Sequence, residues 1–151
     1  MMQSQRKAVV LLVEDYEDAR EMYREYLEFC GFHVVTARDG AEALVRAAQA
    51  DPDIVLMDLS LPGIDGWEAA RRLKANPATA HLTIVALSAH ALSAEGERAR
   101  QAGCDGFIAK PCLPSDLVAQ LASYLKVDAT RGSVHSGKSR TPRRRPRRRP
   151  F

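Results

Sequence analysis

Four short, nearly all-apolar runs and one mixed stretch, His33–Thr36, separated by stretches with helical spacing, constrain what this chain can fold into. They are Ala8–Val13, His33–Thr36, Ile54–Met57, Thr83–Leu87 and Gly106–Ala109. Each is too short for an ordinary helix and is bounded by turn formers, which makes it a buried strand. Four of them run straight into a polar residue: Glu14-Asp15, Asp58, Ser88 and Lys110.

The intervening stretches follow a different period. Ala19, Met22, Tyr23, Tyr26, Leu27 and Cys30 recur at helical spacing, and Gly31 supplies a stop. Asp39 with Glu42, and Asp65 with Glu68, have the spacing of a capping box. They open helices whose expected apolar faces are Ala41, Leu44, Val45 and Ala48, then Trp67, Ala70 and Leu73, ending near Lys74. A sparse helix is expected over 92–102, with little but Leu92 and alanines to bury. A last one over 115–126 carries Leu117, Val118, Leu121, Tyr124 and Leu125. Strands alternating with helices imply an α/β fold, with five parallel strands flanked by five helices and joined by right-handed crossovers. The nearly all-apolar strands agree, since both faces of such a sheet are covered.

A chain of 151 residues with 46% hydrophobic content can build one domain with a real core. It has no run of eighteen apolar residues, so no transmembrane segment is expected. The charged start, Met1 to Lys7, leads into too short an apolar run for a secretory signal. Three cysteines without a C-x-x-C pair fit a reduced, cytoplasmic setting. The charge is unevenly spread. Of 22 basic and 19 acidic residues, nine basic and one acidic lie after Lys126, leaving 13 and 18 in residues 1–126. An acidic domain over 7–126, after a short extension over 1–6, is thus expected to carry a basic, Arg/Pro-rich, disordered tail over 127–151. The 25 tail residues are too few for a helix-turn-helix module, so none is expected there. Its cations, over 131–151, suit nucleic acid through phosphate contacts, an anionic surface or an acidic partner; a merely solvated tail is the alternative.

In a parallel sheet the carboxyl ends of all strands lie along one edge, so Glu14, Asp15, Asp58, Ser88 and Lys110 converge there. Taken singly, Asp58 reads equally as a loop acid or an N-cap, and Glu14 as a solvated acid at a helix start. Together they say more. Three carboxylates repel one another, and one lysine does not balance them. A divalent cation does, and an all-oxygen set suits Mg²⁺ or Mn²⁺. A hydroxyl and an ammonium beside such a metal suit phosphoryl oxygens. The chain has no P-loop and no Ser-His-Asp arrangement at these ends. The residues therefore point to metal-assisted phosphoryl transfer with Asp58 as nucleophile.

Glu14-Asp15, Asp58 with Leu61-Pro62-Gly63-Ile64-Asp65-Gly66, Ser88-Ala89 and Lys110-Pro111 resemble, in order and interval, the receiver domains of two-component response regulators. The resemblance spans about residues 7–126 and implies a flavodoxin-like sheet of order 2-1-3-4-5. It implies that Asp58 accepts a phosphoryl group from a sensor histidine kinase or phosphotransfer protein. Glu14, Asp15, Asp58 and the Ser60 carbonyl would hold Mg²⁺, and Lys110 would pair with phosphoryl oxygens. Ser88 would move toward the phosphoryl group, with Phe107 following by a rotamer change; a plain core aromatic is the other reading of Phe107. The bond before Pro111 is expected to be cis. A stand-alone receiver, switching an unknown downstream protein and turning over no external substrate, is the implied role. The alternatives are a phosphatase or phosphotransferase using Asp58, and a binding protein acting through the arginine tail.

Overall fold

The computed structural model describes residues 6–88, 102–110 and 112–133. Strands β1 (Val9–Val13), β2 (His33–Ala37), β3 (Ile54–Asp58), β4 (Thr83–Ser88) and β5 (Gly106–Ala109) form one parallel sheet of order β2-β1-β3-β4-β5. Helices α1 (Glu17–Phe29), α2 (Gly40–Ala50), α3 (Gly66–Ala75) and α4 (Pro114–Ser133) complete the described elements. Four helices are thus described where five were expected; the expected helix over 92–102 lies outside the described residues, except for Ala102, which forms a turn. The chain divides into two units at Val118, and the sheet belongs to the first.

The central strands β1, β3 and β4 are largely apolar because both sheet faces are covered there, whereas edge strand β2 includes the exposed His33. Alternate residues Leu11, Val13, Val55, Met57, Ile84 and Ala86 join Ala43 and Ala47 of α2 and Ala69, Ala70 and Leu73 of α3 in one core cluster. The intervening residues Val10, Leu12, Ile54, Leu56, Val85 and Leu87 point to the opposite face and are equally buried, as are Tyr23 and Leu27 of α1.

Both expected caps form. The Asp39 and Asp65 carboxylates accept from the Glu42 and Glu68 amides at 2.8 and 2.9 Å. The reciprocal half of the box differs. The Glu42 carboxylate reaches the Arg38 amide, and Glu68 turns outward to Arg71 and Arg72.

The helix faces depart from expectation in two places. In α2 the buried residues are Gly40, Ala43 and Ala47, while Ala41, Val45 and Ala48 are exposed and Leu44 is half-buried. Small residues of α2 face the core cluster here, and the start of the helix abuts the loop after β3, where a β-carbon on Gly40 would overlap the Ile64 carbonyl. In α1 the buried residues are Arg20, Tyr23 and Leu27, and Met22 and Cys30 are exposed. Finally, α4 continues past Lys126, where the tail was expected to begin, to Ser133. Val127 to Arg131 include no Gly or Pro, and an established helix propagates at one hydrogen bond per residue without needing an apolar face. The arginine-rich run over 134–151 lies outside the described residues.

Candidate functional site

The strand register sets the site. Val13 pairs with Met57, so Glu14 and Asp58, one step beyond, leave adjacent strands side by side. Asp58 in turn is level with Leu87, and Ser88 with Ala109, which puts Ser88 and Lys110 at the same edge. Main-chain bonds hold the ends together: Glu14 N–H donates to Ala37 O, Leu59 N–H to Leu87 O, and Lys110 N–H to Ser88 O.

The side chains meet as the residue types predict. The Lys110 ammonium lies 3.1 Å from Asp58 Oδ2 and 3.2 Å from Glu14 Oε1. The other Asp58 oxygen, Oδ1, accepts from the Ser60 amide at 2.9 Å, and Glu14 Oε2 from the Tyr16 amide at 3.2 Å. Glu14, Asp58 and Ser88 are buried, with at most 4% of each residue exposed, whereas Asp15 is open to solvent. Phe107 sits half-buried in β5 against the core cluster. Pro111, and with it the expected cis bond, lies outside the described residues, as do Ala89 and His90.

Burial pushes the Glu14 carboxyl up, and the Asp58 charge pushes it further; the Tyr16 amide and Lys110 pull back without cancelling the rise. For Lys110 burial acts downward, but Asp58 and Glu14 outweigh it and the ammonium is held above its ordinary value. Among the described residues the Lys110 ammonium is shared by two buried acids, Glu14 and Asp58, and the exposed Asp15 lies beside them. Glu14, Asp15 and Asp58 each place a carboxylate oxygen within 4.8 Å of the others. A hard divalent cation fits this donor set in charge and in ligand chemistry.

Two residues of this neighbourhood escaped the sequence reading. The Arg20 guanidinium, on a residue only 9% exposed, donates to the carbonyls of Glu14 at 3.0 Å and Asp15 at 3.5 Å. The Tyr23 hydroxyl donates to the Cys112 carbonyl at 2.7 Å, two residues beyond Lys110. Their signal was the spacing of Arg20, Tyr23 and Leu27, which puts the arginine on the buried stripe of α1.

Comparison with known proteins agrees with this geometry. The polar-differentiation response regulator DivK of Brucella ovis is 35% identical over 116 residues, 77% of this chain and 94% of its own. The chemotaxis protein CheY4 of Vibrio cholerae superposes with a TM-score of 0.74 at 28% identity, covering 78% of this chain and 98% of that one. So does the receiver domain of the sensor histidine kinase PA1611 from Pseudomonas aeruginosa, with a TM-score of 0.74 at 31% identity, covering 80% of this chain and 99% of its own. That structure has a magnesium ion coordinated in its active-site cleft. No helix among the described residues is long and apolar enough to cross a membrane. Residues 10–122 match the response regulator receiver domain, and the chain belongs to that family of two-component signalling proteins.

Proposed function

We propose that this receiver takes a phosphoryl group on Asp58 from the phosphohistidine of a sensor kinase or phosphotransfer protein, and thereby changes its affinity for a downstream protein. The observation that carries the reading is the placement of Asp58, with one oxygen tied to the Ser60 amide and the other 3.1 Å from the Lys110 ammonium. A carboxylate held in this way is a preoriented nucleophile.

In the transfer an Asp58 oxygen bonds to phosphorus and the P–N bond of the donor breaks. The electron pair returns to the ring nitrogen, which leaves as neutral imidazole because the other ring nitrogen carries a proton. Lys110 neutralises charge on the phosphoryl oxygens, and Ser88 offers its hydroxyl to one of them once the acyl phosphate has formed. Glu14, Asp15, Asp58 and the Ser60 carbonyl would hold Mg²⁺ or Mn²⁺. A bound cation of this kind would supply further neutralisation of the phosphoryl oxygens. Movement of Ser88, followed by Phe107, is the proposed route from the site to the partner surface. Phe107 lacks a hydroxyl, so no hydrogen bond from that ring contributes. The arginine-rich segment takes no part in this proposal. The matched region ends at residue 122, and none of the relatives named supports a nucleic-acid role.

Incubation with acetyl phosphate and Mg²⁺ tests the reading. Labelling should reach one phosphoryl group per chain, require the metal, and vanish in Asp58→Asn. Continuous turnover of a phosphate ester that depends on Asp58 would instead make the protein a phosphatase. Failure of the unaltered chain to label would remove the proposal.

A further inference from the structure

The buried stripe of α1 carries two polar side chains where an amphipathic helix normally has aliphatic ones. Arg20 and Tyr23 are three residues apart and so lie on the same side of the helix. Each directs a donor, Arg20 through Nη1 and Tyr23 through its hydroxyl, at main-chain carbonyl oxygens in one arm of the phosphoryl site. Arg20 donates to the carbonyls of Glu14 and Asp15, the turn that bears two of the acids. Tyr23 donates to the carbonyl of Cys112, in the segment that follows Lys110. Among the described residues no carboxylate lies within ion-pair distance of Arg20, although α1 is rich in acids and Arg24 pairs with Glu21 and Glu28.

Burying a guanidinium without a close ion pair is costly, even where its charge is felt from farther off by Glu21, and burying a phenol needs a hydrogen bond. A helix serving only to cover the sheet has no use for either group, since leucine at both positions would cover it better. We infer that Arg20 and Tyr23 are positioning residues: α1 acts as a brace that fixes the acid turn through Arg20 and the Lys110 arm through Tyr23, and so sets the acid-to-ammonium spacing. The inference rests on the phosphoryl-site reading above and extends it to residues that touch neither metal nor phosphate. Arg20 keeps the Glu14 and Asp15 backbone from swinging outward under the mutual repulsion of the acids. Tyr23 holds the segment after Lys110 against α1, so that the ammonium stays between Glu14 and Asp58. A tyrosine phenol is protonated at neutral pH, so the Tyr23 hydroxyl is a donor there, and burial raises its pKa further.

The two halves of the brace predict different kinetic signatures. On the full chain, calorimetric titration with Mg²⁺ alone should show affinity weakened about tenfold in Arg20→Met, as is typical when the support of a ligand is removed. The labelling rate of that variant by acetyl phosphate should return to within about twofold of normal at saturating Mg²⁺, and Arg20→Lys should recover part of the affinity. Tyr23→Phe should keep its Mg²⁺ affinity and lose about tenfold in maximal labelling rate, because the misplaced group is the ammonium. Circular dichroism and thermal melting separate this from a folding defect. Unchanged metal affinity in folded Arg20→Met, or an unchanged maximal rate in folded Tyr23→Phe, overturns the inference. So do losses in both constants that track the fall in melting temperature in both variants, since those would mean packing alone. If the unaltered chain binds no Mg²⁺, the phosphoryl-site reading itself fails and this inference fails with it. If the unaltered chain binds Mg²⁺ and labels while the variants match it, only the brace is lost.

Discussion

Gly66 abuts the main chain of Asp58 so closely that a β-carbon at position 66 would overlap the Asp58 carbonyl oxygen and crowd Leu59 Cα. Gly66 opens α3, and its amide donates to Leu59 O. The first turn of α3 is thus pressed against the end of β3, which fixes the backbone from which the Asp58 carboxylate projects.

Gly66→Ala tests that contact through the sign of its effect. Helix propensity alone favours alanine by about 1 kcal/mol. Overpacking against main-chain atoms, which cannot step aside, costs about 1–3 kcal/mol. The variant should be less stable in urea unfolding, and its labelling by acetyl phosphate should be slower. Stabilisation would mean that the close approach does not exist in solution.

Charge removal at the site should act in opposite directions. Asp58→Asn leaves Glu14 with Lys110 to itself and keeps an oxygen for the Ser60 amide. It should raise stability without metal by on the order of 1 kcal/mol. Lys110→Met strands two buried carboxylates. Breaking a fully buried pair costs about 3–5 kcal/mol. The Lys110 side chain is 28% exposed, so about 2 kcal/mol is the expected loss. Chemical denaturation in EDTA compares the three proteins directly.

Divalent metal should stabilise the fold by mass action. At a hundredfold excess over the dissociation constant, Mg²⁺ should add about 2.7 kcal/mol. For a chain of this size that is a rise in melting temperature on the order of 5–10 °C. EDTA should reverse the rise. Asp15→Ala should abolish most of it by removing one of the proposed ligands, and should leave the metal-free stability nearly unchanged because that carboxylate is exposed.

The three thiols should differ in reactivity. Cys104 is 1% exposed, and burial pushes its thiol up to about 12. Almost none of it is thiolate at pH 7.5, and the reagent has no access. Cys30 is exposed, and Cys112 is partly covered with its thiol raised by burial. Iodoacetamide followed by mass spectrometry should find Cys30 modified first, Cys112 more slowly, and Cys104 only after denaturation. Fast alkylation of Cys104 in the native protein would contradict its burial.

Much of the molecule is legible without coordinates. Most of the strands show as short apolar runs because a sheet covered on both faces buries them, and their polar ends share an edge because parallel strands point the same way. That reasoning reaches Glu14, Asp15, Asp58, Ser88 and Lys110, and the capping acids Asp39 and Asp65 mark the starts of α2 and α3. It fails on the helix faces. In α2, counting large apolar residues selects Leu44 and Val45, whereas the face turned to the core is the small one of Ala43 and Ala47. In α1, an arginine among acids reads as solvent-facing, yet Arg20 turns inward to main-chain carbonyls.

From the residues by themselves came the element order, the sheet edge that gathers the acids, and the kind of chemistry that edge can support, because each depends on local period and on strand direction. Tertiary structure alone decided that the Lys110 ammonium lies between Glu14 and Asp58, and that α1 reaches both arms of the site. Those depend on register and on helix rotation, where a shift of one residue exchanges a buried position for an exposed one.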